Sequence, residues 1–255
     1  MTIRVIVNSD DLGISPLVNE EILNLLSEGQ ITSVTAIANA PSIDEVIGRL
    51  PKSPNYSVGV HLNLTEFYPL TQPSQIGPLA ECLNDKGCFA GEERLRAVSV
   101  TSSLREAFFK ELCLQVDKIR SMGVKISHLD SHNHVHTIPA LFSVLKRVQR
   151  CFDIRKVRIT RNIYSPTSPA SAVVLLKKRL WIYALRYYYR TITTSGFGSL
   201  KAFCELANRK PIKHESVEVM VHPGHAQYQH ETKLLYSEWW REMPFKIELI
   251  NYHDL

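Results

Sequence analysis

Several features that would assign the chain to a familiar class are missing. Its five cysteines, Cys82, Cys88, Cys113, Cys151 and Cys204, are an odd number and form no C-x-x-C pair. That argues against a disulfide framework or a zinc ribbon and for a reducing compartment. No apolar run reaches the roughly 18 residues that a membrane-spanning helix needs. Met1 to Val7 runs directly into a strand-like segment without a charged n-region, so no signal peptide is expected and a cytoplasmic location is. No G-x-G-x-x-G follows that first strand; Asp10-Asp11-Leu12-Gly13 stands there instead, against a dinucleotide fold. There is no internal repeat and no low-complexity segment. The net charge of +5, with ten histidines counted neutral, is too small to argue for a nucleic-acid partner.

What is present suits an ordinary globular protein. The 255 residues, 44% hydrophobic and 22% charged, fit one domain spanning 1–255 with a sizeable core. Short apolar runs recur, and nearly every one ends in residues able to do chemistry. Ile3 to Val7 leads into Asn8-Ser9-Asp10-Asp11, and Val58 to Val60 into His61-Leu62-Asn63. Val124 to Ile126 leads into His128 and Asp130, Val157 to Ile159 into Thr160-Arg161-Asn162, and Val217 to Val221 into His222-Pro223-Gly224-His225. Helical patterns lie between them. Leu17, Val18, Ile22, Leu25 and Leu26 mark one face, with Gly29 as a stop. A longer helix is expected from Leu104 to Met122, and another from Pro139 to Arg150. Strands alternating with helices predict an α/β fold with a parallel sheet, closed or nearly closed into a barrel, whose active site lies at the C-terminal ends of the strands.

His128-Leu129-Asp130-Ser131-His132-Asn133-His134-Val135-His136 is the most informative stretch. Four histidines and an aspartate occupy nine positions, all at even numbers. If extended, all five would share one face. Neutral imidazoles buried together each need a partner, and a divalent metal is one that suits imidazole and carboxylate.

Asp10 and Asp11 are neighbours after the first strand. In extended chain they point opposite ways, so one could ligate a metal while the other acts as a base; a helix N-cap is the competing role, for which Ser15 is the better placed residue. Asp11, His61 and one His of the 128–136 cluster would form an Asp/His/His set, leaving room for a water. His222, held by the Pro223-Gly224 turn, is placed to act as a general acid for a leaving amine. Arg161 is a candidate to bind a carboxylate or orient Asp10, or is an ordinary surface arginine. Thr65 to Ser102, rich in Pro and Gly, reads as a long loop or lid. Lys177 to Arg190 is basic and aromatic. It reads either as a surface helix packed by its Leu and Trp face, or as a wall for an anionic or lipid-linked substrate or a weak membrane-surface contact.

These residues carry a resemblance. Val7-Asn8-Ser9-Asp10-Asp11-Leu12-Gly13-Ile14-Ser15 with Gln30-Ile31-Thr32-Ser33-Val34-Thr35 resembles the opening of the YdjC-like carbohydrate deacetylases, which include chitooligosaccharide deacetylases and hopanoid-cluster relatives. Gly59 to Thr65, His128 to His136 and Val221-His222-Pro223-Gly224 match the later blocks in order. Leu12 stands where Phe is usual, and Asn133 lies within the histidine run. The middle, Pro166 to Leu206, carries no matching block. The resemblance implies a (β/α) barrel of the glycoside hydrolase/deacetylase type, irregular or with fewer than eight strands. It implies removal of an N-acetyl group from an amino sugar or oligosaccharide with one divalent ion, Zn²⁺ or Mg²⁺, held by Asp11, His61 and His132. By analogy with polysaccharide deacetylases, Asp10 would be the base and His222 the acid, with Arg161, His134 and His136 facing the substrate or supporting the ligands. The alternatives are a phosphoesterase on a related barrel, which would hold a second metal, and a non-catalytic metal- or sugar-binding protein.

Overall fold

The computed structural model describes residues 2–255. Seven strands, β1 (Thr2–Leu12), β2 (Ser33–Ala36), β3 (Ser57–Leu62), β4 (Ile126–Ser131), β5 (Gly196–Ser199), β6 (Ser216–Val221) and β7 (Lys246–Leu249), form one sheet. Its main order is β4-β3-β2-β1-β6-β5, every pair is parallel, and β7 joins the start of β1. The helices are α1 (Pro16–Ser27), α2 (Ile43–Val46), α3 (Gly91–Ala97), α4 (Ser102–Ser121), α5 (Phe142–Phe152), α6 (Ala172–Tyr187), α7 (Leu200–Ala207) and α8 (Gln229–Leu235).

The expected α/β architecture is present as a curled half-barrel with fewer than eight strands. The run Val157–Ile159 forms no regular strand. It contributes a parallel bridge from Val157 to Leu129 of β4, and Lys156 bridges Ile192. Just beyond it, the Asn162 and Ile163 amides both donate to the Phe197 carbonyl of β5. This irregular segment therefore spans the gap between the two edge strands. Arg158 and Thr160 are carried on it.

The two faces of the sheet differ in chemistry. Ile3, Val5 and Val7 of β1 join the main apolar core, while Ile6 packs with Ile250 and Tyr252 in a separate small cluster. Along the Ile6 side follow Asn8 and Asp10, both buried. Asn8 donates to Thr35 Oγ1 of β2, and Thr35 donates to Asp130 of β4, so the inner face is polar and cross-linked between strands. Gly59 of β3 lies under the His128 ring, where a Cβ would come within 2.5 Å of Cε1. His128 stacks on Tyr252 on its other side, with centroids 3.5 Å apart and planes 8° apart. His128 is therefore packing, held between a glycine and a tyrosine.

Local signals set the helices. Ser15, not Asp10 or Asp11, caps α1 by accepting from the Val18 amide, with Pro16 in its first turn. That frees both aspartates for other work. Thr101 caps α4 in the same way. The expected Pro139–Arg150 helix begins with a 3-10 turn over Pro139–Leu141 and continues as α5. The 65–102 stretch is pinned: buried Glu111 of α4 accepts from the Leu70 and Thr71 amides and from Thr71 Oγ1, at 2.7–3.0 Å. Among the described residues, no helix is long and apolar enough to cross a membrane.

Candidate active site

The C-terminal ends of β1, β3, β4 and β6 converge on one cluster of carboxylates and imidazoles. Alternation alone would send Asp10 and Asp11 to opposite faces. Asp11 instead has φ +69°, a left-handed conformation that costs a non-glycine residue on the order of 1–3 kcal/mol. The β1–β2 register breaks at the same point. As a result both carboxylates face His61 Nε2, Asp10 Oδ2 at 3.9 Å and Asp11 Oδ1 at 3.4 Å. The divergence expected of the pair is thus replaced by convergence with different partners.

Asp10 is held by Arg158, whose Nη1 and Nη2 donate to its two oxygens at 2.8 and 2.6 Å. Asn8 Nδ2 donates a further hydrogen bond at 2.8 Å. Burial works against the carboxylate, but the Arg158 guanidinium outweighs it and holds Asp10 well below the usual carboxylate range. Arg158 also reaches Asp130 Oδ2 at 2.8 Å and Glu218 Oε1 at 2.7 Å, with the Phe197 ring 4.9 Å from its guanidinium carbon. One fully buried arginine thereby ties together three carboxylates from β1, β4 and β6.

His61 Nδ1 donates to Asp130 Oδ1 at 2.7 Å, because a carboxylate can only accept. His132 places Nδ1 2.9 Å from Asp11 Oδ1 and Nε2 3.1 Å from Glu66 Oε1. Burial opposes protonation of both rings. The carboxylates nevertheless raise His61, and the hydrogen bonds to Asp11 and Glu66 push His132 up to about 10. Asp11 is itself lowered to about 2, against burial, by the His132 hydrogen bond and the charges of His61 and His132. His225 Nε2 lies 3.4 Å from Asp11 Oδ2, buried and without a hydrogen-bond partner among the described residues.

These features fit a divalent cation. Donor atoms of Asp11, His61 and His132 all lie within 4.8 Å of one another. Ligands about 2.1 Å from a tetrahedral ion stand roughly 3.4 Å apart, the spacing of His61 Nε2 and Asp11 Oδ1. With Nδ1 given to Asp130, His61 turns Nε2 toward two carboxylates, an arrangement that needs a positive charge there, supplied by a proton on the ring or by a bound cation.

His222 sits at the end of β6. Its Nε2 is 4.0 Å from Asp10 Oδ2, its ring stacks on Tyr228 at 4.8 Å, and its amide donates to Glu231 Oε2 at 2.7 Å. Gly224, at φ +78°, lets the following turn lie against α1, where a Cβ would come within 2.9 Å of Val18 Cα. Burial pushes the His222 imidazole below its ordinary value, although Asp10 and Asp11 pull it up.

Other expected site residues have different surroundings. The strand ends at Ser131, and Asn133 and His134 take left-handed conformations, so the even-number alternation stops at His132. His136 is buried, paired with Ser131 Oγ at 2.5 Å and with the Arg158 carbonyl at 3.2 Å. It braces the end of β4 against the Arg158 segment, the supporting role among the two expected for it. His134 packs edge-on against Phe197, and burial pushes it down to about 3. Arg161 does not orient Asp10; Arg158 does. Arg161 instead lines a 260 Å³ cavity with His134, Thr160, Tyr164 and Lys178. The apolar-run pattern gives no sign of the parts that Arg158 and Glu66 play, and marks Asp130 and His225 only as polar residues after apolar runs. An arginine between Val157 and Ile159, in a strand-like run expected to be covered on both sides, was the available signal for the first.

A parallel α/β half-barrel with an Asp/His cluster at its strand ends defines the class. A model of the YdjC-like protein family matches residues 4–245, and the chain belongs to that family. It is 30% identical over 227 residues to a carbohydrate deacetylase of Halalkalibacterium halodurans, covering 87% of this chain and 85% of that one. It is 33% identical over 164 residues to a carbohydrate deacetylase of Geobacillus stearothermophilus, and this match spans 63% of that protein's length. A candidate cellobiose-phosphate cleavage protein of Enterococcus faecalis superposes with a TM-score of 0.76 at 20% identity, over 100% of this chain and 99% of that one; it shares the fold.

Proposed function

We propose that the protein is a metal-dependent carbohydrate deacetylase that hydrolyses the N-acetyl group of an amino sugar. The observation that carries this reading is the convergence of Asp11, His61 and His132 beside a separate Asp10–His222 pair. Asp11, His61 and His132 would hold the ion, with imidazole donors favouring zinc and the family resemblance admitting magnesium. Once bound, the ion would polarise the acetyl carbonyl and acidify a water.

The chain's own residues supply the rest. Arg158 fixes the Asp10 carboxylate and keeps it ionised, ready to accept the water's proton. Such a clamped carboxylate is a weak base, so it suits a water that is already acidic. His222 stands across from Asp10 on a rigid turn and delivers a proton to the departing sugar amine. Glu231 and Tyr228 hold it there. Intact Asp10 and His222 argue against a purely binding role.

A two-metal phosphoesterase fits less well. The second acidic set, Asp10, His61 and Asp130, shares His61 with the first, and Arg158 already occupies oxygens of both aspartates. A second divalent ion would have to displace a buried guanidinium. The discriminating experiment is a panel of N-acetylated sugars and phosphate esters assayed with and without chelator. Chelator-sensitive acetate release supports the proposal; phosphate release without acetate refutes it.

A further inference from the structure

Among the described residues, eight of the twelve large apolar or aromatic side chains left exposed lie between Val173 and Tyr188, on or just after α6. The helix packs by Trp181, which meets Phe142 edge-on at 5.1 Å, with Ile182 and Leu185, but its opposite face is bare. Leu185 is its only buried residue. Val173, Leu176, Leu180, Tyr183 and Tyr187 recur at spacings of three and four residues and are 57–82% exposed. At 3.6 residues per turn they fall within about 80° of arc, a continuous stripe facing away from the fold. Lys177 flanks it on one side, Arg179 and Arg186 on the other. No acidic residue occurs between Asp153 and Glu205.

A stripe of this kind is the pattern of a helix lying in a membrane interface, apolar side chains down and cations at headgroup level. We infer that α6 docks the protein on an anionic phospholipid surface. Two features favour this occupant over a second copy of the chain. Pairing two such stripes would bring their basic flanks together with no acidic residue on either helix to offset them. The tyrosines, apolar in body and polar at the tip, suit an interface between water and lipid. The helix is rooted in the fold: Lys178 Nζ donates to Tyr164 Oη at 2.5 Å, and both line the cavity that also contains His134 and Arg161. Docking through α6 would thus hold this cavity close to the bilayer.

The inference stands apart from the deacetylase reading, because vesicle binding needs no substrate. The experiment is co-sedimentation of the full chain with vesicles of phosphatidylcholine alone or of an equimolar mixture with phosphatidylglycerol. Binding to the anionic vesicles is expected, falling as salt rises, with little binding to the neutral ones. The double variant Leu176→Glu, Leu180→Glu should lose at least tenfold in binding. Lys177→Ala with Arg179→Ala should lose on the order of 30-fold from two surface cations. Unchanged melting temperatures in both variants show that the fold is intact. Failure of the wild type to bind anionic vesicles overturns the inference. So does binding that neither variant weakens. A dimer in solution that the leucine variant dissolves overturns it too, by assigning the face to a second copy.

Discussion

His61 Nδ1 lies 2.7 Å from Asp130 Oδ1, and this bond turns Nε2 of the same ring toward Asp10 and Asp11. Asp130 is in turn held by Arg158 and by the Thr35 hydroxyl at 3.1 Å. The orientation of a proposed metal ligand is therefore set by three further strands or segments, and the ring cannot rotate without breaking a buried network.

Asp130→Asn should weaken divalent-metal binding by about 10–100-fold, since a carboxylate behind a ligating imidazole fixes its tautomer and raises its basicity. His61→Ala should weaken it further. Isothermal titration with Zn²⁺ checks the order. Equal affinities for wild type and Asp130→Asn would contradict the role assigned to this bond.

Asp10→Asn should retain the metal but lose on the order of 10²–10⁴-fold in turnover, because it removes the proposed base while leaving Asp11, His61 and His132 in place. Metal content by elemental analysis and acetate release, measured on the same sample, separate the two effects. Loss of metal together with activity would move Asp10 into the ligand set.

Gly59→Ala should destabilise the fold by about 1–3 kcal/mol. The new methyl would come within 2.5 Å of the His128 ring, which Tyr252 blocks from retreating. Urea denaturation gives the value directly, and a change below about 0.5 kcal/mol, the level of an ordinary surface substitution, would show that the ring can yield.

Glu231 supplies a pH signature. Burial raises its carboxyl to about 7, although the His222 amide bond opposes this. Between its ordinary value near 4.5 and 7, the unfolded chain gives up this proton while the folded chain keeps it. Stability should therefore fall as pH rises through that window and level off above it, by up to about 3 kcal/mol from this group. Glu231→Gln keeps an acceptor for the His222 amide and removes the titration. The difference between wild type and variant, followed by thermal melts from pH 4.5 to 8, should grow with pH in the variant's favour. A difference that is flat with pH would mean that Glu231 stays ionised.

Much of this architecture was legible because parallel strands covered on both faces read as apolar runs, and the polar residues after each run mark its end. That logic singles out Asp10, Asp11, His61 and His222, which the strand ends bring together. The same logic fails where the backbone leaves the pleat. Left-handed turns at Asp11, Asn133 and His134 reorient side chains that alternation would misplace, and no residue type announces them. Sequence favours Arg161 over Arg158 because their segment makes only isolated bridges, so the face each arginine presents depends on contacts with β4 and β5. His128 belongs to the histidine run from which one ligand is expected, and His136 is expected to face substrate or support the ligands. Only their neighbours, Gly59 and Tyr252 for one, Ser131 and the Arg158 carbonyl for the other, reveal them as packing and bracing.

The central claim is that one ion at Asp11, His61 and His132 activates hydrolysis of an N-acetyl amino sugar. Stepwise addition of Zn²⁺ or Mg²⁺ to metal-stripped protein, with acetate release recorded at each step, tests it most directly. The account predicts activity that rises in proportion to bound metal and saturates at one ion per chain, and that is absent at every metal level in Asp11→Ala. Activity without metal, saturation only at two ions per chain, or full activity in Asp11→Ala would contradict it.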